Sequence, residues 1–315
     1  MTSKDTEPKK RIVLAEPRGF CAGVERAVGM VERALELHGP PVYVRKQIIH
    51  NQYVVDGLQN RGVVFVDSEE EVPEGAVCVF SAHGVAPEVR RNAASRELQV
   101  IDATCPLVSK VHQEAKRFAT AGDTILLIGH SDHEEVEGTV GEAPEHIVVV
   151  ESEEDARTLE LPEGAALSYL TQTTLSIDET AGIVGILEER FPQLRGPRSD
   201  DICYASSNRQ NAVKALTACT DVVLVVGSAN SSNSQRMVDV ARSYGTPAHL
   251  VDNAAELDPE WLGGARTVGV SSGASAPEVL VEGLLERLRQ LGYGDVDTLT
   301  TTKEDITFAM PGSLA

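Results

Sequence analysis

Three segments of this chain share one layout, in which a short apolar run leads to a cysteine and a helical pattern follows. The cysteines are Cys21, Cys105 and Cys203. Residues 12–15 read as a buried strand, and apolar residues then recur at helical spacing from Val24 onward. Strands that alternate with helices predict parallel sheets, whose ligands bind where strands end and helices begin. Three cysteines at equivalent turns therefore predict one shared site.

The alternation continues along the chain and predicts an α/β fold of three similar units with small parallel sheets. A length of 315 residues leaves room for two or three hydrophobic cores. The predicted units span residues 11–104, 105–202 and 203–292. Beyond Gly292 the sequence becomes polar and rich in threonine, so residues 293–315 are predicted to form a loosely ordered tail.

Charge and cysteine usage limit the function classes. A net charge of −20 argues against nucleic acid or an anionic membrane surface as the main partner. No apolar run approaches the ~20 residues of a membrane span, and residues 1–10 lack the apolar core of a signal peptide, so we expect a cytoplasmic protein. Five cysteines, an odd number, argue against a disulfide framework. Cys78 lies within a strand pattern and Cys219 ends a helical one, so both are predicted to be structural.

The three turn cysteines have the chemistry of metal ligands. They are far apart in sequence and form no CxxC pair of the kind found in zinc ribbons. Thiolates that converge from separate units suit zinc or an iron–sulfur cluster, and three of them without a fourth leave one metal position open. The spacing alone leaves metal binding and three unrelated structural cysteines as equal alternatives.

Polar residues at other predicted strand ends are typical of an anion site, because hydroxyl, imidazole and helix N–H groups bind phosphate oxygens. The residues concerned are His50, His83, His133, Ser231, Ser232, Asn233 and Ser275. No GxxxxGK[ST] motif is present, which argues against a nucleotide P-loop. The pattern predicts a pocket for a diphosphate held without a metal, and helix capping by the same serines stays the alternative.

An acidic run beside His133 contains a candidate proton donor. A carboxyl group near a bound anion and a metal can have a raised pKa and donate a proton. The sequence does not choose between Glu134 and Glu135 for this role. Thr173 and Thr174 can orient a substrate hydroxyl or simply cap a helix.

Together these motifs resemble the LytB family of iron–sulfur reductases, which act on (E)-4-hydroxy-3-methylbut-2-enyl diphosphate. The resemblance covers residues 11–291. It rests on the stretches PRGFCAGVERA, IIHNQYVVDGL, SAHGV, DATCPLVSKVH, EEVEGTVG, TQTTLS, DDICYASSNRQNAV, GSANSSNSQR and SSGASAPE. It implies three α/β units arranged with pseudo-threefold symmetry around a central iron–sulfur cavity.

The resemblance also implies roles for the candidate residues. Cys21, Cys105 and Cys203 would hold a [4Fe–4S] cluster with one open iron. The residues that would bind the substrate, mainly through its diphosphate, are His50, His83, His133, Ser231, Ser232, Asn233 and Ser275. Thr173 would orient the substrate hydroxyl, and Glu135 corresponds to the family's proton donor. Glu134 stands where many relatives have proline, which adds a carboxylate beside the implied site.

The implied reaction is reductive dehydroxylation to isopentenyl and dimethylallyl diphosphate, the last step of the non-mevalonate isoprenoid pathway. A ferredoxin or flavodoxin with its reductase would supply the electrons. Two rivals remain from the residues alone. A redox sensor or electron carrier would use the same cysteines and would not need the serine/asparagine loop. A three-cysteine zinc hydrolase would cleave a diphosphate ester and would be colourless.

Overall fold

The computed structural model describes residues 10–162 and 164–314. Except for Lys10, the polar segment 1–10 on which the signal-peptide prediction rests lies outside these residues. Within them the chain forms twelve strands and ten α-helices. The strands are β1 (Arg11–Glu16), β2 (Val42–Arg45), β3 (Val63–Val66), β4 (Val77–Phe80), β5 (Gln99–Asp102), β6 (Thr124–Ile128), β7 (Ile147–Val150), β8 (Leu167–Thr171), β9 (Val222–Val226), β10 (Ala248–Val251), β11 (Thr267–Ser272) and β12 (Asp295–Thr300).

The helices alternate with these strands. The α-helices are α1 (Ala22–His38), α2 (Gln52–Gln59), α3 (Pro87–Ser95), α4 (Pro106–Thr120), α5 (Glu134–Glu142), α6 (Glu153–Thr158), α7 (Ile177–Arg190), α8 (Tyr204–Thr217), α9 (Ser232–Ser243) and α10 (Glu278–Gln290). Short 3-10 helices span Glu69–Glu71, Ala254–Glu256, Pro259–Leu262 and Gly312–Leu314. Among the helices of the described residues, none combines the length and the apolar character that crossing a bilayer requires.

The strands form three parallel sheets. Their orders are β10-β9-β11-β1-β12, β3-β2-β4-β5 and β7-β6-β8. In the five-stranded sheet Ile12 of β1 pairs with Val268 of β11 on one side and with Val296 of β12 on the other. Parallel neighbours need crossover connections, which the intervening helices supply. The prediction of an α/β fold with small parallel sheets is therefore confirmed.

The chain divides into two compact units. The smaller unit contains the described residues up to Cys21 together with Tyr204–Ile306, and it holds the five-stranded sheet. The larger unit contains Ala22–Cys203 and the described residues from Thr307 onward, and it holds the four-stranded and three-stranded sheets.

Strand β1 does not lie in a sheet of the first predicted unit, residues 11–104. It pairs with β11 and β12, so that it belongs to the sheet formed by the last third of the chain. Hydrophobic periodicity identifies a strand, but it carries no information on which distant strand becomes its partner.

The prediction of a loosely ordered tail beyond Gly292 is wrong for Asp295–Thr300, which forms β12. The side chains of this strand are mostly exposed, so its polar sequence gives no signal of a core. Its order comes from the backbone ladder with β1, which pairs N–H and C=O groups that would otherwise need other partners. Farther along, the carbonyl of Leu314 accepts a hydrogen bond of 3.1 Å from Nε of Arg33 in helix α1.

The smaller unit buries both faces of its sheet. Val222, Leu224 and Val226 of β9 pack into one apolar cluster with helix α10. Val223 and Val225 point the other way and pack against helices α8 and α9. The uninterrupted apolar run of β9 is therefore that of a parallel strand covered on both sides. Each such side chain contributes about 1.5–3 kcal/mol by burial, and this fixes the strand ends from which the polar loops leave.

The central strand of the three-stranded sheet in the larger unit follows the same rule. Ile125 and Leu127 of β6 pack into one cluster with helix α4, and Leu126 and Ile128 pack into another with helix α7. The loops that follow β6 and β8 carry His133 and Thr173, and both loops begin at the edge of this rigidly packed sheet.

Candidate functional site

Three histidines of the larger unit lie against one another. His50 precedes Asn51, the cap of α2; His83 follows β4; and His133 caps α5. The ring centroids of His50 and His83 are 4.0 Å apart, and the ring planes are inclined by 15°. His133 stands edge-on, with its centroid 5.5 Å from that of His50 and 5.8 Å from that of His83. The structure thus brings together three residues that the sequence places in different segments.

Burial and crowding make two of these imidazoles, those of His50 and His133, poor bases. Burial, followed by the charges of His83 and His133, lowers the pKa of His50 from 6.5 to about 2. Burial, followed by the charge of His83, lowers the pKa of His133 to about 4. Both rings are therefore uncharged at neutral pH. An anion bound among them would favour their protonated form, because a nearby opposite charge stabilises it, so the cluster is suited to a phosphate group.

The cap at the start of α5 sets the tautomer of His133. Its Nδ1 accepts a hydrogen bond of 3.1 Å from the N–H of Glu135. Since Nδ1 is an acceptor, the proton of the neutral ring lies on Nε2. His133 therefore keeps an N–H donor available on the side of the ring away from the helix.

Glu134 places a negative charge beside the histidine cluster. Its Oε2 accepts a hydrogen bond of 3.1 Å from Nδ1 of His83. Burial opposes ionisation of Glu134, but the hydrogen bond from His83 and the charges of His83, His133 and Lys46 outweigh it and lower the pKa of this carboxyl. Glu134 is therefore a carboxylate at neutral pH and a poor proton donor.

Glu135 has the opposite character, although it is the next residue. Its side chain is buried, with 2% of the residue exposed. Its Oε1 accepts the N–H of Thr173 at 2.6 Å, and its Oε2 lies 3.0 Å from the hydroxyl of Thr173. Burial raises the pKa of Glu135, and the two bonds from Thr173 offset part of that rise. A buried carboxyl group with a raised pKa has the properties of a proton donor, and burial makes the distinction that the sequence could not.

Backbone hydrogen bonds tie two of the turn cysteines to these residues. The N–H of Cys105 donates to the carbonyl of Ala82, the residue before His83, at 3.0 Å. The N–H of Cys203 donates to the carbonyl of Thr173 at 3.0 Å. Each cysteine precedes a helix, α4 or α8, and the positive end of a helix favours a thiolate.

The third turn cysteine, Cys21, lies in the smaller unit, where its N–H donates to the carbonyl of Ala274 at 3.3 Å. Cys21, Cys105 and Cys203 are each partly exposed, and among the described residues no cysteine forms a disulfide bond. Partly exposed thiols at the starts of helices fit the donor set of an iron–sulfur cluster.

The remaining cysteines lie in a core and at a helix end, the two places that the sequence predicted for them. Cys78 is completely buried in β4, and burial raises the pKa of its thiol to about 12. Cys219 is exposed just beyond α8, where its Sγ lies 3.7 Å from the carbonyl oxygen of Ala215.

The smaller unit carries a second polar cluster, where β9 and β11 end. Ser231 caps α9, and its Oγ lies 3.3 Å from the Oγ of Ser275. Ser232 is the first residue of α9. Oδ1 of Asn233 accepts the N–H of Ala274 at 2.9 Å, which fixes the loop after β11 to the first turn of α9. The capping role of Ser231 is therefore real, and it leaves the serine hydroxyl beside that of Ser275.

Close approach of two loops requires glycine at Gly227 and Gly273. A Cβ atom at Gly273 would lie 2.0 Å from Oγ of Ser234, and one at Gly227 would lie 2.2 Å from the same atom. Ser234 is fully buried, and its Oγ donates to Oγ of Ser231 at 3.0 Å. Ser234 is not among the site residues that the sequence predicts, although a glycine at the end of each of two strands indicates that a third element packs there.

Three side chains of the histidine cluster also resemble a metal site. Ligand atoms of His50, His83 and Glu134 lie within 4.8 Å of one another. The two stacked rings are nearly parallel, however, so their in-plane lone pairs run side by side and do not meet at one ion. The arrangement fits an anion surrounded by hydrogen-bond donors better than it fits zinc.

The chain is similar to known proteins in both sequence and structure. The sequence model of the family described as LytB protein matches residues 12–289. A 4-hydroxy-3-methylbut-2-enyl diphosphate reductase of Nocardia farcinica is 59% identical over 98% of this chain and 93% of its own length. In structure the chain is similar to the E-1-hydroxy-2-methyl-but-2-enyl-4-diphosphate reductase from Plasmodium falciparum, with a TM-score of 0.94 and 37% identity over 98% of this chain and 97% of that one. A solved (E)-4-hydroxy-3-methyl-but-2-enyl diphosphate reductase, described as the terminal enzyme of the non-mevalonate pathway, is 33% identical with a TM-score of 0.63 and covers 89% of this chain and 99% of its own.

Proposed function

The chain belongs to the LytB family, and on this basis we propose that it removes the allylic hydroxyl group of (E)-4-hydroxy-3-methylbut-2-enyl diphosphate. Two electrons and two protons enter, water leaves, and the products are isopentenyl and dimethylallyl diphosphate. The chain is thus an oxidoreductase of the last step of the non-mevalonate isoprenoid pathway. The observation that carries the proposal is the buried pair of Glu135 and Thr173 in the same unit as three contacting histidines.

The proposed substrate-binding residues suit a diphosphate. They are His50, His83, His133, Thr173, Ser231, Ser232, Asn233 and Ser275. Burial and the charges of neighbouring histidines lower the pKa of His50 and His133, and a bound anion would favour the protonated form of these two rings. Serine hydroxyls and the start of a helix add neutral donors. These groups allow a chain with a net charge of −20 to bind an anionic substrate.

Glu135 is the proposed proton donor, and Thr173 orients the substrate hydroxyl. Burial keeps a proton on Glu135 at a pH where an exposed glutamate has lost it. The hydroxyl of Thr173 both accepts and donates hydrogen bonds, so it can link the carboxyl group to the oxygen that leaves as water.

Cys21, Cys105 and Cys203 are the proposed ligands of a [4Fe–4S] cluster in which one iron lacks a protein ligand. When bound, this group supplies electrons and a Lewis-acidic position for the substrate oxygen. Membership of the LytB family and the three partly exposed thiols support this assignment. The backbone bonds of Cys105 and Cys203 hold two of the ligands against the segments that carry His83 and Thr173.

A ferredoxin or flavodoxin kept reduced by its reductase is the proposed electron donor. The cytoplasm is the proposed compartment, because thiolate ligands persist under reducing conditions. Both proposals come from the family and from cysteine usage.

The test is a turnover assay under anaerobic conditions. The purified chain receives reduced methyl viologen and (E)-4-hydroxy-3-methylbut-2-enyl diphosphate, and the products are separated by chromatography. We expect isopentenyl and dimethylallyl diphosphate, with two electrons consumed for each molecule of product.

Two outcomes would contradict this function. A brown protein whose spectrum ignores the diphosphate and that forms no product would favour a redox sensor or electron carrier. A colourless, zinc-loaded protein that releases diphosphate without consuming electrons would favour a hydrolase.

A further inference from the structure

Arg209 of helix α8 is completely buried in the smaller unit, and its guanidinium group reaches the loop that carries Cys21. Nη2 donates to the carbonyl of Gly19 at 2.6 Å, and Nε donates to the same oxygen at 3.1 Å. The carbonyl of Phe20 lies 3.4 Å from Nη2, and Nη1 donates to the carbonyl of Ala205 at 3.0 Å. One cation thus holds the two residues that directly precede Cys21.

Glu304 balances the charge of Arg209. Its Oε1 and Oε2 lie 3.1 and 3.3 Å from Nη1, and Nδ2 of Asn208 donates to Oε1 at 3.0 Å. Glu304 follows β12, and this segment is fixed to β1 because the N–H of Thr301 donates to the carbonyl of Glu16 at 2.9 Å. A buried guanidinium group without a carboxylate partner is strongly unfavourable. The segment after β12 therefore completes the surroundings of Arg209.

Hydrogen bonds hold both the N–H groups and the carbonyl groups of the loop before Cys21. Gly19 has a φ of +67°, a left-handed conformation that favours glycine. The N–H groups of Gly19 and Cys21 donate to the carbonyls of Ser272 and Ala274 at 3.4 and 3.3 Å. Arg209 satisfies the carbonyls that face the other way. Loss of either set of hydrogen bonds would leave backbone groups of the loop unpaired and would destabilise this loop conformation.

We propose that Arg209 and Glu304 are positioning residues that fix Cys21 in the orientation in which it binds the iron–sulfur cluster. The inference rests on the proposed function for the identity of the group that Cys21 binds. It assigns a role to the segment beyond Gly292, for which the sequence predicted only a tail. Arginine is specific here because its planar group reaches two loop carbonyls and a carboxylate at once, which the single ammonium of lysine does not.

The experiment compares thiol exposure in the anaerobically purified whole chain and in the variants Glu304→Gln and Arg209→Lys. An iron chelator withdraws iron while iodoacetamide labels thiols, and mass spectrometry reads the label at Cys21, Cys105 and Cys203 separately. We expect Cys21 of Glu304→Gln to be labelled about tenfold faster than in the unchanged chain, the effect of losing one hydrogen bond to a charged group. Labelling of the other two cysteines is expected to stay unchanged.

A matched control is Glu286→Gln, which alters an exposed ion pair with Arg289 at 3.3 Å in the same unit. It is expected to label like the unchanged chain and to release iron at the same rate. Faster iron release from Glu304→Gln than from Glu286→Gln would support the proposal.

Equal labelling of Cys21 in the unchanged chain and in both variants would overturn the proposal. A parallel rise at all three cysteines would overturn it too, because that pattern reports a general loss of stability. The readout is separate from turnover. A chain that binds no iron and converts no substrate would contradict the proposed function. Selective labelling of Cys21 in Glu304→Gln would still support the proposal that Arg209 and Glu304 fix the loop before Cys21.

Discussion

The backbone N–H of Thr173 lies 2.6 Å from one carboxyl oxygen of Glu135, and the hydroxyl of the same threonine lies 3.0 Å from the other. One residue thus fixes both oxygens of a carboxyl group that solvent does not reach. Because a hydroxyl can accept one proton while it donates another, the pair forms a short path along which a proton can leave Glu135.

Replacement of Glu135 by glutamine is expected to lower kcat by about 10²–10⁴-fold, the usual contribution of general acid catalysis. KM should change little, because this carboxyl group is not proposed to hold the diphosphate. Steady-state kinetics under anaerobic conditions measure both constants. Glu137→Gln, which changes an exposed acid on the same helix, is the control. An unchanged kcat in Glu135→Gln would remove Glu135 from the mechanism.

Glu135→Gln is also expected to become more stable relative to the unchanged chain as the pH rises. Burial raises the pKa of Glu135, so the folded state holds this proton more tightly than the unfolded state does. The free energy of unfolding contributed by Glu135 therefore falls as the pH rises above its ordinary pKa of 4.5. Urea unfolding of both chains should show the stability difference moving in favour of Glu135→Gln between acidic and alkaline pH. A difference that is independent of pH would contradict the raised pKa.

The hydroxyl of Thr173 can be tested apart from its backbone. Thr173→Val keeps the N–H bond to Glu135 and the shape of the side chain but loses the hydroxyl, and it should lower kcat about tenfold, as for one hydrogen bond to a charged or reacting group. Thr173→Ser keeps the hydroxyl and should retain most of the activity. If both variants lose activity equally, packing of the methyl group matters and the hydroxyl does not.

The lowered pKa of His50 predicts sensitivity to acid. An unfolded histidine takes up a proton near pH 6.5, whereas His50 in the folded chain does so only at about pH 2. Between these values the unfolded state binds more protons, so the free energy of unfolding falls as the pH drops below 6.5. His50→Asn should show a flatter dependence in urea titrations over this range, and inorganic diphosphate should protect the unchanged chain more than the variant. Identical pH profiles would contradict the prediction.

Gly273→Ala is expected to raise KM for the substrate at least about tenfold, since the clash of a new Cβ with Ser234 must move a loop at a cost on the order of 1–3 kcal/mol. The moved loop carries Ser275, one of the proposed diphosphate ligands. Gly283→Ala in helix α10 is the matched control, because its nearest neighbour, Cβ of Ala254, would lie at an ordinary 3.8 Å. Equal KM values in the two variants would argue against a substrate site at this loop.

The features of the fold that depend on neighbouring residues can be predicted from short stretches of sequence. Asn51 is a residue type that often begins a helix, and it caps α2, because its Oδ1 accepts the N–H of Val54 at 3.1 Å. Proline is common in the first turn of a helix, and α3 begins at Pro87. Caps and first-turn prolines act within one turn of a helix, so a single sequence reveals them.

Features that depend on distant residues could not be read in this way. Glu134 and Glu135 are the same amino acid at adjacent positions, and only the folded structure shows that one contacts His83 and the other Thr173. Arg209 gives no local signal, because its carboxylate partner lies 95 residues farther along the chain.

The position of β1 between β11 and β12 has a consequence for the order of events at the ribosome. Arg11 leaves the ribosome early, yet its strand partner Asp295 is synthesised close to the end of the chain described here. The sheets of the larger unit need only residues 42–171 and can form while translation continues. The five-stranded sheet must wait, since its central pairing closes a loop of nearly the whole chain. The Cys21 loop is therefore expected to take its final shape only after residue 304 has emerged, and the cluster proposed at Cys21 is expected to bind after that point.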